Sequence, residues 1–219
     1  VWLDTPLAGL VVDGGRVTGV RATRDGEPLR IRARRGVLIA TGGFERDEQM
    51  RRQYQRGPIG TEWTTGAAGN TGDGIRAGLD LGAATGLMDD AWWGPSILLP
   101  GGPYFCLAER SLPGCILVNG AGQRFVNEDT YPGRVGQAAL FQQGMGCWVV
   151  TDEQGFEDVP EADRWGMLPQ HTADTLAELE QLTGLPSGSL EATVALYNHH
   201  AAKGEDPLCH KDSRYLRPI

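Results

Sequence analysis

One stretch limits what this chain can build more than any other: Gly114–Arg134, GCILVNGAGQRFVNEDTYPGR. The apolar run Cys115-Ile-Leu-Val118 meets the turn Asn119-Gly-Ala-Gly122, and a second short run, Arg124-Phe-Val126, leads into the acidic pair Glu128-Asp129. Two β-runs about an Asn-Gly turn predict an antiparallel hairpin, because Gly supplies the positive φ such a turn needs. The four-residue turn is longer than the tightest class, so a bulge or a wider loop is expected. Tyr131, Gly133 and Arg134 follow directly. A phenol and a guanidinium at the mouth of a rigid hairpin are well placed to work on a substrate. An ordinary surface hairpin with a polar exit has the same pattern.

The rest of the chain bounds the classes. Its 219 residues suffice for one large domain or two small ones. The net charge of −8 disfavours a nucleic-acid partner, which would need a basic face. No apolar run approaches the ~20 residues of a transmembrane segment. No charged-then-apolar start marks a secretory signal, so a cytoplasmic protein is expected. Cys106, Cys115, Cys147 and Cys209 lie far apart and form no zinc-type spacing, and no metal is expected. Cys209-His210 lacks a second ligand pair, and His199-His200 cannot share one helix face. The chain does not begin with Met and opens inside what reads as a strand, the expectation for an internal piece of a longer protein.

In order, Leu7–Val12, Arg16–Val20 and Leu29–Ala33 alternate around Gly-containing turns and predict a three-stranded β-meander. Gly36-Val-Leu-Ile-Ala40 is continuously apolar, as in a parallel strand buried on both faces, and ends in Thr41-Gly42-Gly43-Phe44. Glycines at such a strand end permit close approach of a ligand. Arg46–Arg56 predicts a helix whose arginines form either an anion site or, in keeping with the net charge, a solvated face. Thr71-Gly72-Asp73-Gly74 opens a helix to about Gly82, with Thr71 or Asp73 as cap, Ile75 and Leu79 inward, and an anion site at its start as the functional option. Trp92, Trp93 and several Pro and Gly residues mark a crossing between domains, where the tryptophans either line an apolar cleft or pack the junction. Helices are then expected at Val135–Gln143, Thr172–Thr183 and Leu190–Lys203, the last capped by Ser189, with a strand at Cys147–Thr151 and irregular chain over Phe156–Met167.

The pattern Val118-Asn119-x-x-Gly-x-Arg124-Phe-x-Asn127-Glu128 resembles the signature of the flavoprotein family that includes fumarate reductases and 3-ketosteroid dehydrogenases. Ala40-Thr-Gly-Gly-Phe44, Asn70-Thr-Gly-Asp-Gly-Ile75 and Met88-Asp-Asp-Ala-Trp-Trp-Gly94 are similar to it as well. Ala108-Glu-Arg-Ser-Leu-Pro-Gly114, and Tyr131 after Asn127-Glu128, lean towards the ketosteroid branch. The resemblance implies an α/β plus α+β protein: a partial flavin-binding domain (residues 1–90, the meander and a parallel-sheet strand), an α+β catalytic cap (residues 91–210), and a linker (residues 211–219) back to a further flavin segment. It implies FAD in the complete enzyme, with Thr41, Gly42, Gly43, Phe44, Thr71, Gly72 and Asp73 on the cofactor side and Trp92 and Trp93 on the substrate side. The implied reaction makes a C=C bond next to a ring ketone, with Tyr131 as base, Arg134 supporting it, and an apolar ketone such as a steroid as substrate. The electron acceptor is not legible.

Two other readings stand beside it. In a fumarate-type oxidoreductase, Arg134 would deliver a proton. A non-catalytic piece would bind no flavin. The chain has no Gly-x-Gly-x-x-Gly following a strand, so alone it is expected to be colourless and inactive.

Overall fold

The computed structural model describes residues 1–99, 101–107, 109–142, 146–159 and 169–219. The chain divides into two compact units, Val1–Ala91 and Trp92–Ile219. The first opens with the expected meander: β1 (Leu7–Asp13), β2 (Arg16–Arg24) and β3 (Glu27–Arg32), all antiparallel and in that order. Asp25 (φ 53°) and Gly26 (φ 81°) join β2 to β3 as a two-residue turn with both central residues left-handed. That turn matches the right-handed twist of the strands. Leu29 and Ile31 are half-buried while Arg30 and Arg32 face water, which is the alternation the sequence predicts.

The buried parallel strand over Gly36–Ala40 does not form. Leu38 is 89% and Ile39 39% exposed, and the residues carry no strand pairing. Apolar composition fits a strand for the interior, but a strand exists only through a neighbour's hydrogen bonds. Each sheet among the described residues is antiparallel and complete without this run.

Helix α1 (Glu48–Tyr54) is capped by Asp47, whose carboxylate accepts from Met50 N at 2.7 Å. Its arginines are not a uniform solvated face. Arg51 is buried and donates to Glu45 O at 3.2 Å and to Gln55 Oε1 at 3.1 Å. Helix α2 (Asp73–Leu79) packs on β1. Its N-cap is Gly72, not Thr71 or Asp73; Gly74 and Ala77 are buried, and Leu81 is exposed.

The second unit holds two antiparallel strand pairs: β4 (Ser96–Leu99) with β5 (Gly102–Phe105), and β6 (Cys115–Asn119) with β7 (Cys147–Thr151). The predicted hairpin over residues 114–127 is therefore corrected. The turn closes through Gly122 N to Asn119 O and Asn119 N to Gln123 O, but the return run makes a single bridge, Val118 to Arg124. Five consecutive residues of β7 pair with β6 instead, each apolar pair adding buried surface that the shorter run lacks. Helices α3 (Pro132–Leu140), α4 (Glu153–Glu157), α5 (Leu176–Thr183) and α6 (Ser189–Ala201) complete the unit. Much of the expected irregular stretch Phe156–Met167 lies outside the described residues, although Phe156 is helical.

Ile116, Val118, Val150, Leu185, Leu190, Val194, Tyr197 and Ala201 form the core. Ile116, Val118 and Leu190 are wholly buried, each contributing about 1.5–3 kcal/mol of transfer free energy. The inward face of α6 is thus Leu190, Val194, Tyr197 and Ala201, while Ala192 and Leu196 face water. Leu182 of α5 is likewise exposed, and its helix turns Glu180 inward. That carboxylate accepts from Gly188 N, Leu190 N and Glu191 N at 2.6, 2.7 and 3.1 Å, and so caps α6 in place of Ser189. Residues 211–219 pack on this unit, with Leu216 and Ile219 against the core and Arg217 paired with Asp152 at 2.6 Å.

Candidate functional site

Tyr131 stands at the start of α3. Its carbonyl accepts from Arg134 N and Val135 N at 2.9 and 3.3 Å, and Pro132 fills the first helical position, where a missing N–H costs nothing. The ring is 64% exposed and lies against Gly133: a Cβ there would meet Tyr131 Cε1 at 2.7 Å and Trp93 O at 3.7 Å. One turn on, Gly136 passes so close to Gly94 that a Cβ would reach its Cα at 2.7 Å. Two glycines on α3 thus bring the Trp93-Gly94 backbone beside Tyr131. Arg134 is exposed and, among the described residues, makes no ion pair. Trp92 is 93% exposed and Trp93 half-buried.

The chain immediately before Tyr131 is fixed by buried charge. Glu128, fully buried, accepts from Leu117 N at 3.0 Å and pairs with Arg124 at 2.7 Å. Arg124 also pairs with Asp206 at 3.0 Å and lies 4.9 Å from the Tyr197 ring centroid. Burial alone would lower the Arg124 pKa; hydrogen bonds to two carboxylates outweigh it and the guanidinium stays charged, well above its ordinary value. Burial would raise the Asp206 carboxyl, yet Arg124 and the N–H groups of Lys211 and Cys209 hold it below the usual range. Buried Arg110 donates to the Glu128 carbonyl. Asn127 donates to His210 O at 2.7 Å and accepts from Asp129 N at 2.8 Å. Lys211, buried and with its pKa lowered by desolvation, donates to Leu112 O and Cys115 O at 3.2 and 2.7 Å.

Sequence reasoning treated Glu128 as a polar exit and missed Arg110, Asp206 and Lys211. The sequence carries no local signal for Asp206, which lies 82 residues from its partner.

In the first unit the two glycine turns meet. Gly72 N donates to Gly43 O at 3.1 Å and Arg46 N to Asn70 O at 3.0 Å. A Cβ on Gly72 would strike Met50 Sδ at 2.5 Å, and one on Gly42 would strike Asn70 Oδ1 at 2.6 Å. These glycines serve the packing of the turns on one another. Thr41 and Gly42 form the exposed rim, Gly43, Phe44 and Thr71 are half-buried, and Gly72 is buried. Asp73 accepts from Thr71 Oγ1 at 3.0 Å and pairs with Arg76 at 3.1 Å; Arg76 also pairs with Asp47. Arg76 at the start of α2 is thus already engaged by two carboxylates.

Residues 1–219 match the FAD binding domain family. The chain belongs to that family. It is 45% identical over 246 aligned residues to 3-oxosteroid 1-dehydrogenase of Mycobacterium tuberculosis (strain ATCC 25618 / H37Rv), covering 99% of this chain and 43% of that protein. It resembles the 3-ketosteroid delta1-dehydrogenase of Sterolibacterium denitrificans, solved in complex with 1,4-androstadiene-3,17-dione. The TM-score is 0.87 at 37% identity, over 98% of this chain and 43% of that one. The open conformation of a flavocytochrome c3 fumarate reductase is more distant, with TM-score 0.67 and 26% identity over 98% of this chain and 38% of that one. The chain spans less than half the length of these relatives. The mixed α/β flavoenzyme fold and the sequence resemblance both hold.

The rim residues fit one edge of a flavin nucleotide. Thr41 offers a hydroxyl and Gly42 a bare backbone, both exposed. The Asp73 carboxylate suits hydroxyls and ring N–H groups and repels phosphate. Among the described residues, no group of three or more His, Cys, Asp or Glu is placed to hold a metal, and no helix is long and apolar enough to cross a membrane.

Proposed function

We propose that this chain is part of an FAD-dependent dehydrogenase that forms a C=C bond next to the ring ketone of an apolar substrate such as a 3-ketosteroid. The observation that carries the reading is the 45% identity, over 99% of the chain, to a 3-oxosteroid 1-dehydrogenase. Residues 1–90 would belong to the flavin domain, residues 91–210 to the catalytic cap, and residues 211–219 to the return towards the flavin domain. Thr41, Gly42 and their neighbours Gly43, Phe44, Thr71, Gly72 and Asp73 would wall one edge of the cofactor. FAD, when bound, accepts a hydride from the substrate.

The chain's own chemistry is proton removal. Tyr131 takes the proton from the carbon beside the carbonyl. A free phenol has a pKa of ~10, so the base needs a neighbouring positive charge or hydrogen bond to work near neutrality. Arg134, three residues on and in no ion pair among the described residues, can supply that charge. Trp93, and Trp92 next to it, offer apolar faces to a ring system.

The test is Tyr131→Phe in the protein that carries this chain, assayed with a 3-ketosteroid and an artificial electron acceptor. The chemical step should slow ~10²–10⁴-fold, the usual worth of a general base. A variant that keeps most of its turnover removes Tyr131 from the mechanism. The fumarate-type reading has its own support in the exposed Arg134 and the 26%-identical fumarate reductase. Arg134→Ala losing far more activity than Tyr131→Phe, on an unsaturated dicarboxylate, would favour it.

A further inference from the structure

We infer that Gly133 is a positioning residue that sets where the Tyr131 phenol points; the inference rests on the reading of Tyr131 as the base. Three observations lead to it. The backbone that carries Tyr131 is immobilised from behind. Glu128 is held by Arg124 and Leu117 N, its carbonyl by Arg110, and Asn127 by His210 O and a turn to Thr130 N. The ring itself has no such restraint, being 64% exposed. What bounds it on the protein side is the empty place where Gly133 lacks a Cβ. An added methyl would lie 2.7 Å from Cε1 and 3.2 Å from Cδ1 of the ring, with Trp93 O also near at 3.7 Å.

Ordinary Cβ contacts are longer than 3.4 Å. The methyl has little room to retreat, because Gly133 is buried in the first turn of α3 and the Trp93 carbonyl is already at contact distance. The ring must therefore move outward, and a base displaced by a fraction of an ångström loses its line to the proton it removes. The substitution should not harm the fold. Gly133 has no left-handed φ, and Ala is the better helix former. Gly133→Ala therefore separates positioning from stability.

The experiment uses the full-length protein that carries this chain. Gly133→Ala is prepared alone and together with Tyr131→Phe. The expected result is a fall in kcat of about tenfold with KM unchanged, and a Tm no lower than wild type. In the Tyr131→Phe background the same change should cost nothing more, since a ring without the phenol oxygen accepts no proton wherever it lies. A second readout is independent of activity. With tyrosines replaced by 3-fluorotyrosine, the 19F resonance that disappears in Tyr131→Phe should shift in Gly133→Ala. Full kcat in Gly133→Ala, an equal loss in the Phe background, or an unmoved resonance would each overturn the inference. If wild type dehydrogenates no ketosteroid while the resonance moves, the steroid reading fails and the placement of the ring by Gly133 stands.

Discussion

Asp206 shows how much a single side chain can decide and how little of that its sequence position reveals. Its carboxylate shares Arg124 with Glu128 in a site where all three side chains are almost fully buried. Removing one partner of a buried pair typically costs about 3–5 kcal/mol. Because Glu128 remains, Asp206→Asn should fall at the lower end, about 3 kcal/mol by urea unfolding at pH 7. The sign of the pH dependence follows from the depressed pKa. The stabilisation is fully present above the ordinary carboxylate value of ~4 and is lost as pH falls through the lower, folded value. Asp152, held low first by Arg217, acts in the same direction. Wild type should therefore lose stability steeply below about pH 4, and the Asn variant less steeply; parallel acid limbs would disprove the linkage. The thiols make a second prediction. Burial pushes Cys106 and Cys115 up to about 12 and Cys147 to about 11. At pH 8 the folded protein should react with a disulfide reagent far more slowly than the urea-unfolded chain, and equal rates would contradict the buried placement. Cys115 was legible as a core residue from its apolar neighbours. The Asp206 pairing was not, because no periodicity links residues 82 apart.

Elements were legible wherever a local rule was sufficient. The meander declared itself through alternation and Gly-containing turns, α1 through its acidic start and basic end, and α5 through its leucine spacing; the caps Asp47 and Thr175 emerge from the structure. The errors share one cause: the partner was distant. β6 pairs with β7, far along the chain by the register Cys115 to Thr151, and not with its own return run. The cap of α6 comes from Glu180 in the preceding helix. Gly36–Ala40 has strand composition and no strand. The contact between α3 and the segment before β4 was equally hidden, since it depends on backbone approach at Gly136 and Gly94 and not on any side chain. It supports a prediction opposite in sign to that for Gly133. A Cβ at Gly136 would lie against the Gly94 backbone, 2.7 Å from its Cα, where nothing flexible can yield. Gly136→Ala should force α3 outward and cost about 1–3 kcal/mol, the range for overpacking. Its urea midpoint should fall below wild type while that of Gly133→Ala does not. A Gly136→Ala protein of undiminished stability would show that α3 can move freely from Trp93-Gly94.

At the scale of the whole molecule, the two units differ in how completely they bury apolar surface. The second has a contiguous core of eight buried residues. The first leaves Leu38, Ile39, Leu81 and Leu87 facing water, and its described helices have seven residues each. Family membership was legible because it is written in short motifs that survive any error about strands: the glycine turns of the first unit and the Arg-Phe-x-Asn-Glu run of the second. The structure gives those motifs a physical sense. Glycines let the turns Thr41–Phe44 and Thr71–Asp73 close on one another, and Arg124 and Glu128 neutralise each other inside the second unit. From this follows a prediction about FAD and the 219-residue chain by itself. Tight binding of a dinucleotide draws on backbone N–H groups that grip its pyrophosphate after a Gly-x-Gly-x-x-Gly turn, and this sequence has no such turn following a strand. The rim it does offer carries Asp73 and Asp47 against Arg76, a poor setting for phosphate. FAD titrated into the purified chain should therefore give no saturable fluorescence quenching at micromolar concentrations, and the chain should stay colourless without ketosteroid dehydrogenase activity. Stoichiometric quenching with micromolar or tighter affinity would mean that the rim at Thr41 and Gly42 is enough to hold the cofactor, and that the carboxylates of Asp47 and Asp73 do not govern binding.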